Sequence, residues 1–412
     1  MLDLLRLAGS SLYQAIAITF QFLTLNYFQQ LGPPGQPPQP VTMKNIVILG
    51  ASYAGINTAH RILKQAAKTS PFKITMVSPN THFYWNMASP RALLPGKLSD
   101  EQLFQEITPG FKEYPATQFE FILASADSFD ADVKTVHVVG PGVTKTIDYD
   151  FLILTTGSRT TIETPFKGLD TTETTRKMLH DFQARVKEAE TIVVAGGGVT
   201  SIEAAGELAF EYGRQKKVML IASGPTLLEE SPASVAAIAT KELRNLKVDI
   251  KLQTKVMGSE TCSDGRQELT LSDGDRLIAD MYIPAYGLTP NSSYVPTAFL
   301  NINGLVMVDE YLKVKGADGV WAIGDVSDVE PSQFITCDKQ SVYLAKSIVS
   351  ILSNKSPVPY KVSTSRFMGL QIGKTAGTGH YGNFKVPSFI IIRARRNLFI
   401  DNLGPTINGS IV

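Results

Sequence analysis

The chain has 412 residues, 43% of them hydrophobic, which is the composition of an ordinary globular protein with room for two or three domains. Its 39 basic and 38 acidic residues leave a formal net charge of +1, so the composition indicates no nucleic-acid partner. Two cysteines, Cys262 and Cys337, form no C-x-x-C pair, and the five histidines are scattered. These residues argue against a disulfide scaffold, a dithiol redox centre and a bound metal.

Residues 1–42 form a hydrophobic segment followed by a Pro/Gly linker. No residue from Leu7 to Gln30 is charged, over about the ~20 residues that span a bilayer. The following LGPPGQPPQP ends any helix and spaces it from the rest of the chain. We expect this segment to insert into or lie on a membrane, with the catalytic body on its cytosolic side. A cleaved signal and a helix packed on the body are the alternatives.

After the linker, short apolar strands alternate with helices, a pattern typical of an α/β protein with parallel sheets. The stretch KNIVILGASYAG predicts a strand, a glycine turn and a helix from Gly55 to about Lys68, and FKITMVSP predicts the next strand. A meander of hairpins is predicted in FEFILASADSFDADVKTVHVV and KTIDYDFLILTTGS. A second strand-turn-helix-strand unit follows in TIVVAGGGVTSIEAAGELAFEYG and KKVMLIASG.

The two glycine turns lie 146 residues apart, at Gly50 and Gly196, and indicate two copies of one nucleotide-binding design. We therefore predict an α/β fold with two Rossmann-like dinucleotide-binding domains and a small C-terminal α+β region. The predicted bounds are 43–158 with 280–356 for an FAD-binding domain, 159–279 for an NAD(P)H-binding domain, and 357–412 for a C-terminal interface region.

Both turns are variants of G-x-G-x-x-G, in which the first glycine makes the turn, the second admits the phosphates and the third lets the helix pack closely. In the first copy Gly50 and Gly55 keep the first and third positions, while Ser52, whose hydroxyl can donate to a phosphate, replaces the second. In the second copy Gly196 and Gly198 are present and the third position is Ser201.

Neither copy carries the acidic residue that usually follows the second strand and binds the ribose hydroxyls. Ser78 or Asn80 stands there in the first copy, and Ser223 in the second. A neutral residue removes the repulsion of a 2′-phosphate, but no arginine directly follows Ser223 to bind one. The choice between NADH and NADPH therefore stays open.

Three further stretches fit the same design. DYDFLILTTGS ends a strand in a corner at Thr156 and Gly157, and MYIPAYGLTPNSS repeats that crossover at Gly287. In GVWAIGDVSD a buried strand leads to Gly324 and Asp325, where a carboxylate can accept hydrogen bonds from ribityl hydroxyls. The alternative for Asp325 is a plain helix N-cap.

With these motifs the chain resembles flavoproteins with two dinucleotide-binding domains, and most of all the apoptosis-inducing-factor-like, ferroptosis-suppressor group in its fungal form. The resemblance covers residues 43–403 and rests on ILGASYAG, HFYWNMASPRALL, LTTGS, VVAGGGVTSIEAAGEL, AYGLTPN and WAIGDV, in that order. It implies non-covalent FAD, NADH or NADPH as electron donor, and often a quinone as acceptor at a membrane. Type II NADH dehydrogenases are similar in layout.

The resemblance also implies site residues. Those implied to contact FAD or to line its site are Gly50, Ser52, Tyr53, Ala54, Gly55, Ser78, Arg91, Thr156, Gly157, Gly287, Gly324 and Asp325. Those implied to contact the nicotinamide nucleotide are Gly196, Gly198, Ser201 and Ser223. Arg91 is expected beside the flavin, and Tyr84 and Trp85 are expected either to wall the flavin or to pack in the core.

Two residues are implied to act in catalysis. Glu203, one turn into the second glycine-turn helix, is expected to orient the nicotinamide carboxamide or to relay a proton; a solvated acid at the helix start is the alternative. Lys339, or its neighbour Gln340, is expected to hydrogen-bond the flavin or a quinone, with an exposed helix start as the alternative. Cys337 is expected to be a small core residue.

The C-terminal region fits neither nucleotide domain. FMGLQIGKTAGTGHYG is glycine-rich and β-like, and SFIIIRARRNLFI joins an apolar run to Arg393, Arg395 and Arg396. We expect an interface region with a solvated basic edge, and contact with acidic lipid headgroups is the alternative.

For the whole chain, the leading hypothesis is a membrane-associated enzyme that oxidises NAD(P)H through FAD and reduces a quinone or similar small acceptor. The alternatives are a tailoring oxidoreductase of fungal secondary metabolism and a redox sensor that binds NAD(P)H weakly.

Overall fold

The computed structural model describes residues 43–66 and 70–412. The predicted membrane segment and linker, residues 1–42, lie outside these ranges. Within the described ranges, no helix is long and apolar enough to cross a bilayer.

The first sheet has five parallel strands, in the spatial order Val320–Ala322, Phe151–Leu154, Lys44–Leu49, Phe72–Ser78 and Phe119–Leu123. Its central strand is buried from Ile46 to Leu49, as expected for a parallel sheet covered on both faces. The helix after the first turn runs from Tyr53 to Gln65, and it packs against the long helix Phe334–Leu352.

The predicted meander is confirmed for three antiparallel strands, Ser125–Asp130, Thr135–Gly140 and Val143–Asp148. At its two ends the hairpin prediction was wrong, because Phe119–Leu123 and Phe151–Leu154 pair in the parallel sheet. A smaller pair joins His82–Tyr84 to Phe104–Glu106. The remaining short helical pieces of this part are Asn86–Ala88, Ser89–Ala92, Asp100–Leu103, Thr108–Phe111, Thr297–Phe299 and Gly324–Val326.

The second sheet has four parallel strands, in the order Asp249–Lys251, Lys217–Ile221, Thr191–Ala195 and Met281–Pro284. Helices Thr172–Glu188, Val199–Tyr212 and Ala233–Asn245 accompany it, as do antiparallel strands Val256–Thr261, Gln267–Leu271 and Arg276–Ala279. Because Met281–Pro284 pairs with Thr191–Ala195, we propose that the second nucleotide unit extends to residue 284 rather than 279.

The chain crosses between the two sheets twice, and the crossing segments pair with each other. Ser158–Thr160 and Leu288–Pro290 form an antiparallel pair, with Ser158 opposite Pro290. Thr156 donates its hydroxyl hydrogen to the Asn291 carbonyl (2.7 Å), and the Asn291 amide donates to the Thr156 carbonyl (2.9 Å). These paired crossings bring the two predicted Gly corners to one place.

The C-terminal region forms an antiparallel sheet, Phe367–Ile372, Ala376–Tyr381 and Phe384–Lys385, followed by helices Ser388–Arg395 and Leu403–Ile407. A short helical turn, Ile400–Asn402, lies between those helices. Leu370 and Ile372 are fully buried in the same core as Ile202 and Leu208 of the second nucleotide unit. The predicted α/β fold with Rossmann-like parallel sheets is therefore confirmed.

Candidate active site

A cleft of about 690 Å³ lies at the carboxyl ends of the first sheet's strands, the usual place for a ligand in a parallel α/β sheet. It brings together residues that are far apart in the sequence and that we predicted to contact FAD. These are Gly50, Ser52, Tyr53, Ala54, Ser78, Thr156, Gly157, Gly287, Gly324 and Asp325.

The first turn has the close approaches that its glycines require. Gly50 has φ +109°, and a Cβ there would lie 2.5 Å from the Thr155 carbonyl oxygen. A Cβ on Gly55 would lie 2.0 Å from the Gly50 oxygen, so helix and strand can pack only with glycine at that position. Ser52, the N-cap of the helix, is exposed and makes no side-chain capping bond. Its hydroxyl and the first-turn N–H groups fit an anionic phosphate.

The second turn is equally tight on its inner side and open on its outer side. A Cβ on Gly196 (φ +134°) would lie 2.7 Å from the Ala285 oxygen, whereas a Cβ on Gly198 would meet nothing within 4 Å. The Ser201 hydroxyl donates to the Gly198 carbonyl at 2.8 Å, so this buried serine supports the turn from below. The open backbone at the helix N-terminus fits a second pyrophosphate.

The two strand-end serines differ in exposure. Ser78 is 4% exposed, and its hydroxyl accepts a hydrogen bond from the Asn80 N–H at 3.2 Å. Ser223, just after strand Lys217–Ile221, is exposed. Ser223 is therefore available to a ribose, whereas Ser78 already holds the loop that follows it.

Asp325 is the charged centre of the cleft. Its Oδ2 lies 2.6 Å from Lys167 Nζ and accepts a hydrogen bond from the Ser158 hydroxyl at 2.8 Å. Burial acts to raise the pKa of Asp325, but Lys167 and hydrogen bonds from Ser158 and Ser332 outweigh it, and the pKa lies below its ordinary value. The carboxylate therefore stays charged at neutral pH and can accept hydrogen bonds from ligand hydroxyls.

Aromatic rings and one thiol form another part of the cleft wall. The Tyr53 ring lies 4.3 Å from the Phe334 ring, and its hydroxyl donates to Asp338 at 3.0 Å. Burial raises the pKa of Tyr53, so this hydroxyl keeps its proton at neutral pH. Cys337 also lines the cleft, and burial raises the pKa of its thiol to about 12.

The helix after Asp325 contributes Gln340 to the support of the cleft and turns Lys339 away. The Gln340 side-chain oxygen accepts a hydrogen bond from the Gly324 N–H at 2.8 Å, and its amide donates to Glu330 at 3.2 Å. Lys339 donates to the Lys361 carbonyl and lies over the Tyr360 ring at 4.7 Å. In this conformation Lys339 faces the segment after the helix, and its expected contact with flavin or quinone stays a prediction.

Arg91 and Glu203 lie outside the cleft lining. Arg91 is 8% exposed, and its Nε and Nη2 lie 3.0 and 2.6 Å from Glu207 Oε1. A buried guanidinium requires such a partner, which explains why it points towards the second nucleotide helix. Glu203, 5% exposed, accepts from Arg395 at 2.6 Å, and burial raises its pKa. Glu203 is thus not the solvated acid of the alternative, and its nicotinamide role stays a prediction.

Of the adjacent aromatic residues, Tyr84 lies in the cleft wall and Trp85 lies in the core, the two positions that were expected for them. Tyr84 lines the cleft, and its hydroxyl donates to the Pro165 carbonyl at 2.7 Å. Trp85 is fully buried, and its Nε1–H donates to the Leu398 carbonyl at 2.9 Å. Trp85 is therefore a core residue that fixes the C-terminal region.

Sequence reasoning missed several cleft residues, above all Lys167. Its loop, PFKGL, has no periodic pattern, and its partner Asp325 lies 158 positions away. Other lining residues that it missed include Ser158, Thr200, Tyr286 and Tyr294. Ser158 lies within LTTGS, a motif that the sequence did identify, and Asn291, which also lines the cleft, lies within LTPN.

Each of the two parallel sheets has a strand that leads into a glycine turn, and a cleft lies between the strand ends and the crossings. This arrangement is that of an FAD- and nicotinamide-dependent oxidoreductase. Residues 44–341 match the family model for pyridine nucleotide-disulphide oxidoreductases. The chain belongs to that family, and its cofactors are FAD and NAD(P)H, as predicted.

Relatives support the assignment. The chain is 51% identical over 372 residues to oxidoreductase ptaL of Pestalotiopsis fici, covering 90% of this chain and 100% of the relative. It is 27% identical to ferroptosis suppressor protein 1 of Homo sapiens over 376 residues, 89% of this chain and 96% of that protein. These matches confirm the resemblance to the ferroptosis-suppressor group and its fungal members.

The fold also matches solved structures. The sulfide:quinone oxidoreductase of Aquifex aeolicus superposes with a TM-score of 0.72 at 17% identity, covering 89% of this chain and 92% of that one. At this identity the match establishes the fold alone.

Proposed function

We propose that this protein oxidises NAD(P)H with bound FAD and passes the electrons to a quinone-like small acceptor at a membrane. The observation that carries the proposal is the cleft, which gathers the residues predicted to contact FAD around a charged Asp325, while its thiol, Cys337, has no partner cysteine. When bound, FAD supplies the ring that takes the hydride from the nicotinamide. A lone protonated thiol does not favour a dithiol acceptor.

The chain's own residues bind and orient. When FAD is bound, Ser52 and the first-turn N–H groups would hold its pyrophosphate, and Asp325 would accept hydrogen bonds from its ribityl hydroxyls. Gly198 would leave room for the nicotinamide pyrophosphate. Overall, a quinone takes up two electrons and two protons. One proton and both electrons leave NAD(P)H as a hydride, and the second proton comes from solvent.

We assign Glu203 a positioning role in this proposal. Its carboxylate accepts from the Gln371 N–H (3.1 Å) and from Arg395, which fixes the first turns of the nicotinamide-binding helix against the C-terminal region. The N-terminal segment, residues 1–42, is proposed as the membrane attachment.

The test is reoxidation by a chosen acceptor. The purified chain is reduced without oxygen by one equivalent of NADH or NADPH, and a short-chain ubiquinone analogue or a cyclic disulfide is then added. We expect the quinone to restore the oxidised flavin spectrum and the disulfide to leave it unchanged. Reoxidation by the disulfide, or by neither compound, would contradict the proposal.

A second candidate is a tailoring oxidoreductase acting on a specialised fungal metabolite. The observation that favours it is the 51% identity to a fungal oxidoreductase over that relative's full length. A flavin that nicotinamide reduces but no quinone reoxidises would favour this candidate over the first.

A further inference from the structure

The C-terminal region exposes a group of large apolar side chains. Phe384 is 81% exposed, Phe389 71%, Tyr381 56% and Ile390 45%, and Phe367 is 38% exposed. We call these five residues the aromatic surface. Apolar side chains exposed together in this way mark an interaction site more often than chance, whereas single exposed residues need no explanation.

Strand register places three of these rings on one face of the C-terminal sheet. Phe367 lies directly opposite Tyr381, and Tyr381 lies directly opposite Phe384 across the next strand pair. Side chains at directly opposite positions of antiparallel strands project from the same face and are neighbours. The three rings therefore form a row across the end of the sheet.

The helix Ser388–Arg395 lies on that same face. Gly369 lies two residues after Phe367, and Gly379 lies two residues before Tyr381. Both glycines therefore lie on the same face of the sheet as the three rings. A Cβ on Gly369 or Gly379 would lie 3.0 or 2.8 Å from Ile391, so the helix contacts the sheet there. Ile391 is the buried residue of this helix, whereas the side chains of Phe389 and Ile390 are exposed to solvent. The helix and the row of rings therefore lie on the same face of the sheet, and both carry exposed apolar side chains.

This surface belongs to a basic part of the chain. Residues 357–412 carry seven Lys or Arg and one acid, Asp401, a net +6 in a chain of net +1, so the other 356 residues carry −5. Lys374, Lys385 and Arg393 are exposed, and within the described ranges no acidic side chain forms an ion pair with them. Arg393 follows Phe389 by four residues, which places both on one side of the helix.

We propose that the aromatic surface docks on an anionic lipid bilayer. Aromatic and aliphatic side chains enter the headgroup boundary, and basic side chains beside them attract anionic lipids. Self-association through this surface would bring two regions of net +6 together, and their like charges oppose it. This contact is separate from the N-terminal segment, and it does not depend on the identity of the electron acceptor.

The C-terminal region contacts the cleft wall through the chain that follows the helix Ser388–Arg395. The Phe399 ring lies 6.2 Å from the Phe334 ring and is stacked on it, and Phe334 lines the cleft. Leu398 is tied to Trp85 by the hydrogen bond described above. The C-terminal region that carries the aromatic surface therefore also contacts the aromatic wall of the cleft.

The test uses the full chain and a readout confined to this surface, because the N-terminal segment is itself proposed to attach to a membrane. Hydrogen-exchange mass spectrometry is recorded with vesicles of phosphatidylcholine alone and of phosphatidylcholine containing phosphatidylserine. The double variant Phe384→Ser, Phe389→Ser removes two exposed rings. Ile302→Ser is the matched control, since Ile302 is fully exposed (101%) at another place. Flavin content checks that each variant is folded.

We expect exchange in residues 381–393 to slow several-fold with phosphatidylserine vesicles and little with neutral ones. The double variant should lose this protection, and Ile302→Ser should keep it. Unchanged exchange in residues 381–393 while the chain is on vesicles would overturn the proposal and assign binding to the N-terminal segment. Protection that needs no lipid and rises with protein concentration would also overturn it, in favour of self-association.

Discussion

At Asp325, one carboxylate holds together three parts of the cleft. Its contacts with Lys167 and Ser158 join the Gly-Asp turn to the first crossing and to the loop beyond it. The side chains of Lys167 and Asp325 are 24% and 15% exposed, so neither charge is well solvated without the other.

Replacing Asp325 by Asn should therefore weaken FAD binding. The change leaves Lys167 unpaired and removes an acceptor for ligand hydroxyls, so we expect the dissociation constant of FAD to rise about tenfold or more. Flavin titration of the apoprotein measures it. Asp318→Asn is the control, because that side chain is 80% exposed and pairs with Lys134 away from the cleft. Equal FAD affinity in both variants would exclude Asp325 from the site.

Cys337 lines the cleft as a protonated thiol. With a pKa of about 12, only about one thiol in 10⁴ is ionised at pH 8. We expect iodoacetamide to modify Cys337 slowly and Cys337→Ser to keep most of the NAD(P)H oxidation rate. Peptide mass spectrometry and steady-state assays measure the two effects. Loss of turnover in Cys337→Ser at full flavin content would instead make the thiol part of the electron path.

At the level of elements, the glycines at different positions of the two glycine turns have different roles. Gly50, Gly55 and Gly196 are required by packing, because a Cβ at any of them would clash with the neighbouring backbone. Gly198, in contrast, borders open space. Within one motif, some glycines are therefore needed for the fold, and another leaves room for the nucleotide.

Gly50→Ala should destabilise the fold, while Gly198→Ala should affect nucleotide binding. For Gly50→Ala, strain at φ +109° and the contact with Thr155 predict a loss of about 3 kcal/mol or more in the free energy of unfolding. For Gly198→Ala we expect less than about 0.5 kcal/mol but weaker NAD(P)H binding. Chemical denaturation and nucleotide titration measure these effects. Unaltered nucleotide affinity in Gly198→Ala would remove the second turn from the site.

The last helix, Leu403–Ile407, docks on the first nucleotide helix through a buried histidine. His60 is fully buried, stacks on Phe111 at 4.1 Å, and its Nε2–H donates to the Ile407 carbonyl at 2.8 Å. Its Nδ1 then accepts from the Tyr114 hydroxyl at 3.1 Å. These bonds suit a neutral ring, and burial lowers the pKa of His60 to about 4.

A depressed histidine pKa makes stability depend on pH. Between pH 4 and 6.5 the unfolded state binds a proton that the folded state does not, so the free energy of unfolding rises with pH there. His60 contributes about 2–3 kcal/mol above pH 6.5, which is lost as the pH falls towards 4. Denaturant unfolding across this range should show a smaller pH dependence in His60→Gln and an unchanged one in His137→Gln. Equal pH dependence in the two variants would contradict the assignment.

Both glycine turns, the meander and the crossings at Gly157 and Gly287 were predictable because each depends on residues close in sequence. The partners of Arg91, Glu203 and Lys167 were not. Even the pair that is closest in sequence, Arg91 and Glu207, is separated by 116 positions. Charged residues have no periodicity in the sequence that would reveal such a pairing. The C-terminal apolar run was identified, but its division into a buried Ile391 and an exposed Phe389 depends on the sheet beneath it.

For the molecule as a whole, the cleft joins elements that range along the chain from Leu49 to Cys337. The first turn, both crossings and the helix at Phe334 all line it. Two pyrophosphate-binding turns in one chain have a clear use if FAD and NAD(P)H meet there and exchange a hydride. That exchange is the central claim.

The measurement that tests it most directly is the visible spectrum of the purified full chain before and after anaerobic addition of NADH or NADPH. We predict an oxidised flavin band near about 450 nm that one of the two nucleotides bleaches at once, and that nucleotide is the physiological donor. A chain that binds FAD and is bleached by neither nucleotide, or one that cannot be reconstituted with FAD, would contradict the account.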